Sequence, residues 1–298
     1  GVVTLNTEYV YQGGPYDVME LFKFNDLTAA VRANGAAVAD TVSELHAVLR
    51  RKKAPQVEVG PHCTEPYDCG FYEHSTRNAV CPDHPTTDLP RLSKKKCLLL
   101  EEEGITTIDE IPDSFPLSDL QRRVRDAVVS GQELVSPALG SALGSPDYPI
   151  HHLDFETFNP ALPRYAQTRP FQVLPFQWSN HIEQKGGRLD HEEYLCREDK
   201  DPREEFAEAL LRSLGTKGSI CIYTAYEIRI IRELAEALPR LQRRLLALED
   251  RFWDLCKLVR THYYHPDFHG SFSLKQVLPA LVPRMSYEEL EVSDGGAA

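Results

Sequence analysis

No apolar run in this sequence is long enough to span a bilayer, and no signal peptide opens it. A cytoplasmic protein without a membrane partner is therefore expected. Positive charge is short: 33 Lys and Arg against 45 Asp and Glu leave a net charge of −12. A protein coated in positive charge for wrapping nucleic acid is excluded. A nuclease is not, because metal ions and a local basic groove can supply the attraction. One local source is the run Arg240, Arg243, Arg244, Arg251, Lys257 and Arg260, which reads equally well as a solvated helix face. Paired cysteines are also lacking. The 7 cysteines form an odd set with no C-x-x-C spacing, which argues against a disulfide framework and for metal or thiol use. No Met stands at position 1, and nothing closes the chain after Asp294-Gly295-Gly296, so both ends read as cut edges of something longer.

What is present suits a soluble protein of about two domains, with 42% hydrophobic residues to build its cores. Residues 2–11 alternate well enough for a strand ending at Gly13-Gly14, and a long amphipathic helix runs from about Asn25 to Pro55. Its apolar positions, among them Val31, Val38, Val42 and Leu45, are expected to pack on something the chain barely contains. Residues 91–135 read as helical. One helix ends at Gly104, and a second, capped by Ser118, is stopped by Gly131. The pair resembles a helix-hairpin-helix unit gripping a phosphate backbone, or else is a packing connector. Pro137 to Pro149 reads as a linker. The expected division is 1–90, 91–136, 137–149 and 150–298.

Cys63, Cys69 and Cys81 sit in a Pro- and Gly-rich loop with little core of its own, where a metal could act as a staple. Thiolates would select an iron–sulfur cluster or Zn²⁺, with His62, His74 and His84 as spare nitrogen ligands. The alternative is unligated surface thiols. This loop, following a strand and a long helix, resembles the C-terminal cysteine loop of RecB-type nucleases that carry an iron–sulfur cluster. The resemblance implies a further cysteine where Ser75 stands, and places the RecB-type catalytic residues before Gly1.

The organising stretch is His151-His152-Leu153-Asp154-Phe155-Glu156-Thr157. Side chains two apart on a strand share a face, so Asp154 and Glu156 project together. Two carboxylates crowded on one face repel unless a cation lies between them, and hard oxygen donors suit Mg²⁺ or Mn²⁺. A hairpin turning at Gly186-Gly187, a helix from Asp201, a buried strand Ser219–Tyr223 and a helix opening at Tyr226-Glu227 follow. Cys221 reads as core.

That order, β, hairpin, α, β, α, is similar to the RNase H-like α/β fold, a mixed sheet with flanking helices. Asp154-Phe155-Glu156-Thr157 resembles the first motif of DnaQ-type DEDD exonucleases, and Tyr223-Thr224-Ala225-Tyr226-Glu227 their second, with Glu227 in place of the usual Asp. Trp253-Asp254-Leu255 and Ser271–Leu278 resemble the helices that follow. The whole chain resembles an uncharacterised bacterial family fusing a RecB-type module to such an exonuclease domain. The resemblance implies a metal-dependent 3′–5′ exonuclease acting on DNA or RNA, with Asp154, Glu156 and Glu227 as ligands to two Mg²⁺ or Mn²⁺ ions. It places the last acidic ligand beyond Ala298, so this chain is expected to bind metal weakly and cleave poorly.

Tyr226, His265, His269 and Lys275 are the candidates for substrate binding. The aromatic stretch His262–Gly270 could stack a terminal base, or could be a helix end folded onto the core. The rival to an exonuclease is a non-catalytic nucleic-acid-binding or scaffold module.

Overall fold

The computed structural model of the chain describes residues 1–55, 57, 63, 67–76 and 82–285. The chain folds as two compact units, Gly1–Pro82 with Ala161–Pro170, and Asp83–Pro160 with Phe171–Ala298.

The first unit holds β1 (Val2–Leu5), α1 (Val18–Leu21), β2 (Phe22–Asn25), α2 (Thr28–Leu49) and α3 (Tyr72–Thr76). β1 and β2 pair antiparallel, Val2 opposite Asn25 and Leu5 opposite Phe22. The strand expected over residues 2–11 is thus shorter. Asn6 ends it, because its amide donates to the Leu21 carbonyl, its side chain to Glu20, and its own side-chain oxygen accepts the Glu8 amide. That local side-chain turn competes with the ladder. Residues 161–170 join the unit through Tyr11, whose amide donates to Thr168 and whose carbonyl accepts from Gln167. The apolar positions of α2 at Val31, Val38, Val42 and Leu45 are exposed.

The second unit begins with α4 (Lys94–Glu102), α5 (Asp119–Ser130), β3 (Leu134–Val135) and α6 (Leu139–Leu143). Ser118 and Gln121 form a reciprocal capping box at the start of α5. The helices α4 and α5 are joined by residues 103–118 rather than by a tight turn, and that segment buries Ile108, Ile111, Phe115 and Leu117 in a core with Leu100 and Val124. Pro137–Pro149 is tied down at both ends: the Ser136 amide donates to His262, and the Asp147 amide to Ser219. It belongs to the same compact unit as the sheet that follows.

That sheet is built from β4 (Ile150–Phe158), β5 (Leu174–Glu183), β6 (Leu189–Leu195), β7 (Ser219–Ile222) and β8 (Phe252–Asp254). The order is β6-β5-β4-β7-β8, with β4, β5 and β6 an antiparallel meander and β4, β7 and β8 parallel. The β5–β6 turn falls at Gly186-Gly187, where φ values of 115° and 87° suit residues without a Cβ. Helices α7 (Arg203–Leu214), α8 (Tyr226–Ala237) and α9 (Gln242–Leu246) connect the strands, and α10 (Leu255–His262), β9 (Tyr263–Tyr264) and α11 (Leu274–Leu281) follow them.

Phe206, Leu210 and Leu214 recur at helical spacing on α7, and Ile230, Ile231 and Leu234 on α8. They bury against Leu153, Phe155, Trp178, Ile220 and Ile222 of the sheet. Each such side chain contributes roughly 1.5–3 kcal/mol by leaving water, so this core fixes which face of β4 points inward. The result is a mixed α/β unit with a five-stranded sheet and flanking helices. Among the described residues, no helix is long and apolar enough to cross a membrane.

Candidate functional site

Leu153 and Phe155 sink into the helix-covered core, so the two-residue period of the strand sends Asp154 and Glu156 to the opposite face. Pairing of β4 with β7 ends at His152 and Cys221. Both acids therefore lie beyond the last β7 partner. On the other side β5 continues, with Ser179 opposite Asp154 and Gln177 opposite Glu156, and the register slips after Glu156. Sheet direction changes at β4.

The other two parallel strands deliver acids to the same end. β7 stops at Ile222 and α8 begins at Tyr226, which puts Glu227 in the helix's first turn. β8 stops at Asp254, the register partner of Ile222. Asp254 also caps α10 by accepting the Lys257 amide at 2.8 Å.

These carboxylates share one electrostatic environment. Burial pushes Glu227 from an ordinary 4.5 up to about 7, and the charges of Asp154 and Asp254 push the same way. Its own amide at the helix start pulls back toward the charged form. Glu227 is only 6% exposed, and its Oε2 is buried without a hydrogen-bond partner. Glu156 is raised by burial and then by Asp154. Asp154 is raised by the protein packed around it although its surface stays open to solvent, while a bond to the Phe155 amide lowers it. Asp154 is thus the charge that both other acids feel. An unpartnered buried carboxylate oxygen beside further carboxylates must take up a proton or a cation.

Residues 151–273 match a domain of unknown function, DUF2779. The match takes in Asp154, Glu156, Glu227 and Asp254, and runs from β4 to the residue before α11. No curated protein and no solved structure matches the chain.

The substrate-binding candidates fall in different places. Tyr226 lies at the acidic end, sharing a 2.6 Å hydrogen bond with Thr157 Oγ1, and the Arg229 guanidinium lies 5.0 Å from its ring centre. Arg229 itself is paired with Glu233 at 3.0 Å. His265 caps the short 3-10 helix Pro266–Phe268, accepting the Asp267 amide. His269 bonds to Asp88 at 3.2 Å. Lys275 is an exposed residue of α11. Two of the aromatics near His265 fold onto the core, while Tyr263 stays partly exposed. Tyr264 and Phe268 are 0% exposed and pack on Phe272, because their rings complete the core with α5 and α10.

In the cysteine loop, the Cys69 amide donates to the Cys63 carbonyl, Cys63 is buried, and the Phe71 amide donates to Cys69 Sγ. Cys81 and His62 lie outside the described residues. Cys221 is buried core, with its thiol pushed up to about 11 mainly by burial.

Sequence reading assigned no ligand role to Asp254. The available signal was an acid sitting between a short apolar strand and a helix, but only the pairing of β8 with β7 brings it to the end of the sheet where Glu227 stands.

Proposed function

We propose that the chain is a metal-dependent nuclease of RNase H-like fold, a 3′–5′ exonuclease that hydrolyses phosphodiester bonds at DNA or RNA ends. One observation carries this reading: the partnerless, buried Oε2 of Glu227, in a site where Asp154 and Asp254 both disfavour its ionisation. The donor set consists of hard carboxylate oxygens, which fits Mg²⁺ or Mn²⁺. The sheet order supports the same reading, since an antiparallel meander extended by two parallel strands on the far side of β4 is what an RNase H-like sheet requires.

In this reading Asp154, Glu156 and Glu227 would hold the ions, Asp154 being the charge that the other two feel. When bound, a pair of divalent ions stabilises the attacking and leaving oxygens of an in-line displacement. Asp254 adds negative potential behind Glu227 while holding the start of α10. Tyr226, fixed by Thr157, offers a phenol at the rim to a phosphate or sugar. The Cys63–Cys69 turn is the matching candidate for a cluster or zinc staple.

The non-catalytic alternative, in which the cysteine loop and the helical pair hold a nuclease partner, gives no role to the buried, partnerless carboxylate oxygen of Glu227. The test is Mn²⁺-dependent shortening of end-labelled single strands by the full-length protein. Asp154→Ala and Glu227→Gln should each abolish it. Undiminished shortening by Asp154→Ala would remove the assignment.

A further inference from the structure

A cluster of ligating side chains forms on elements other than those that carry the acids of β4. Among the described residues, His84, Asp88 and His269 each offer one ligand atom, and these atoms all lie within 4.8 Å of one another. The two imidazoles are stacked, with ring centres 4.9 Å apart and planes 25° apart. His269 Nδ1 bonds to Asp88 Oδ2 at 3.2 Å, and His84 Nδ1 is buried with no hydrogen-bond partner.

The backbone holds the three in place from two well-separated parts of the chain. His84 is anchored where its carbonyl accepts the Ile108 amide, and Pro85 bridges Thr107. Asp88 closes the 3-10 helix Thr86–Asp88. His269 follows the 3-10 helix Pro266–Phe268, and the next residue, Gly270, passes so close that a Cβ there would collide with the Asp88 carbonyl oxygen. The Gly270 amide also donates to the hydroxyl of fully buried Tyr264 at 3.0 Å. His84 and His269 both adopt left-handed backbone, with φ values of 53° and 44°. Such conformations cost of order 1 kcal/mol each in a residue with a Cβ and persist where surrounding contacts impose them.

We infer that His84, Asp88 and His269 form a binding site for a first-row divalent cation, with Zn²⁺ the best match. Two imidazoles and one carboxylate suit zinc better than magnesium, and three protein ligands leave a fourth position for water or another ligand. This site differs in chemistry from the acids of β4, and the inference stands whether or not that end of the sheet is a nuclease centre.

The test is calorimetric titration of Zn²⁺ into the metal-stripped full chain already carrying Asp154→Ala and Cys69→Ser, which weakens the other two candidate centres. One zinc equivalent should bind and raise the melting temperature. Adding His269→Ala, at an exposed position, or the isosteric Asp88→Asn should weaken that equivalent by more than about 100-fold, beyond what losing a residue that merely orients a ligand costs. Metal-free melting curves matching the parent establish that these variants fold. Retention of the equivalent by either variant, or no zinc uptake by the parent, overturns the inference.

Discussion

Glu227 is where the physical chemistry is sharpest. Its folded pKa lies above its ordinary value, so the fold favours the protonated form. That contribution is fully present below about pH 4.5 and is lost as pH rises through about 7. A rise from 4.5 to about 7 corresponds to roughly 3 kcal/mol. The metal-free protein should therefore be less stable at pH 8 than at pH 5 by up to about that amount, as denaturant midpoints will show. Glu227→Gln should flatten this dependence, and Mn²⁺ should restore stability to the wild type at pH 8 but not to the variant. Asp254 gives a second residue-scale expectation. Asp254→Asn keeps an oxygen to cap α10 but withdraws a charge that disfavours ionised Glu227. The Glu227 titration, followed by carboxylate NMR, should move to lower pH with stability changed by less than about 1 kcal/mol.

Among the elements, α5 is held at its start by the Ser118–Gln121 box and by Val124 and Ala127 in the core. Ser118→Ala should cost about 1 kcal/mol in chemical denaturation. This helix was legible because its signals are local: a capping serine, apolar spacing and a terminal glycine. The same holds for β4, the β5–β6 turn and α8, where alternation and turn chemistry act within a dozen residues. Other features hid because partners far along the chain decide them. Asn6 ends β1 through a bond to Glu20, a competition that alternation over residues 2–11 does not reveal. Pro137–Pro149 has linker composition, yet β3 just before it pairs with β9, Leu134 opposite Tyr264. For the aromatics near His265 the sequence leaves base stacking and core packing both open, and α5 and α10 decide it for Tyr264 and Phe268 by closing over them. Asp154, Glu156 and Glu227 were legible as acids at an expected spacing. Asp254 needed strand pairing, and His84 with Asp88 needed a partner, His269, 181 residues from Asp88.

At the scale of the whole molecule, a net charge of −12 leaves the proposed nuclease to attract a polyanion through its divalent ions. Binding of a single-stranded oligonucleotide, measured by fluorescence anisotropy, should require Mn²⁺ or Mg²⁺ and vanish in chelator. Its salt dependence should be shallow, since few Lys or Arg contacts release counterions. Tight binding in chelator with a steep salt slope would point to a basic surface instead. The most direct test of the account is the rate at which end-labelled single strands are shortened in Mn²⁺, comparing wild type with Asp154→Ala. The wild type should shorten strands from the 3′ end, and the variant should be slower by at least about 100-fold, the scale on which removing one preorganised electrostatic contact slows a reaction. Equal rates in the two proteins would contradict this.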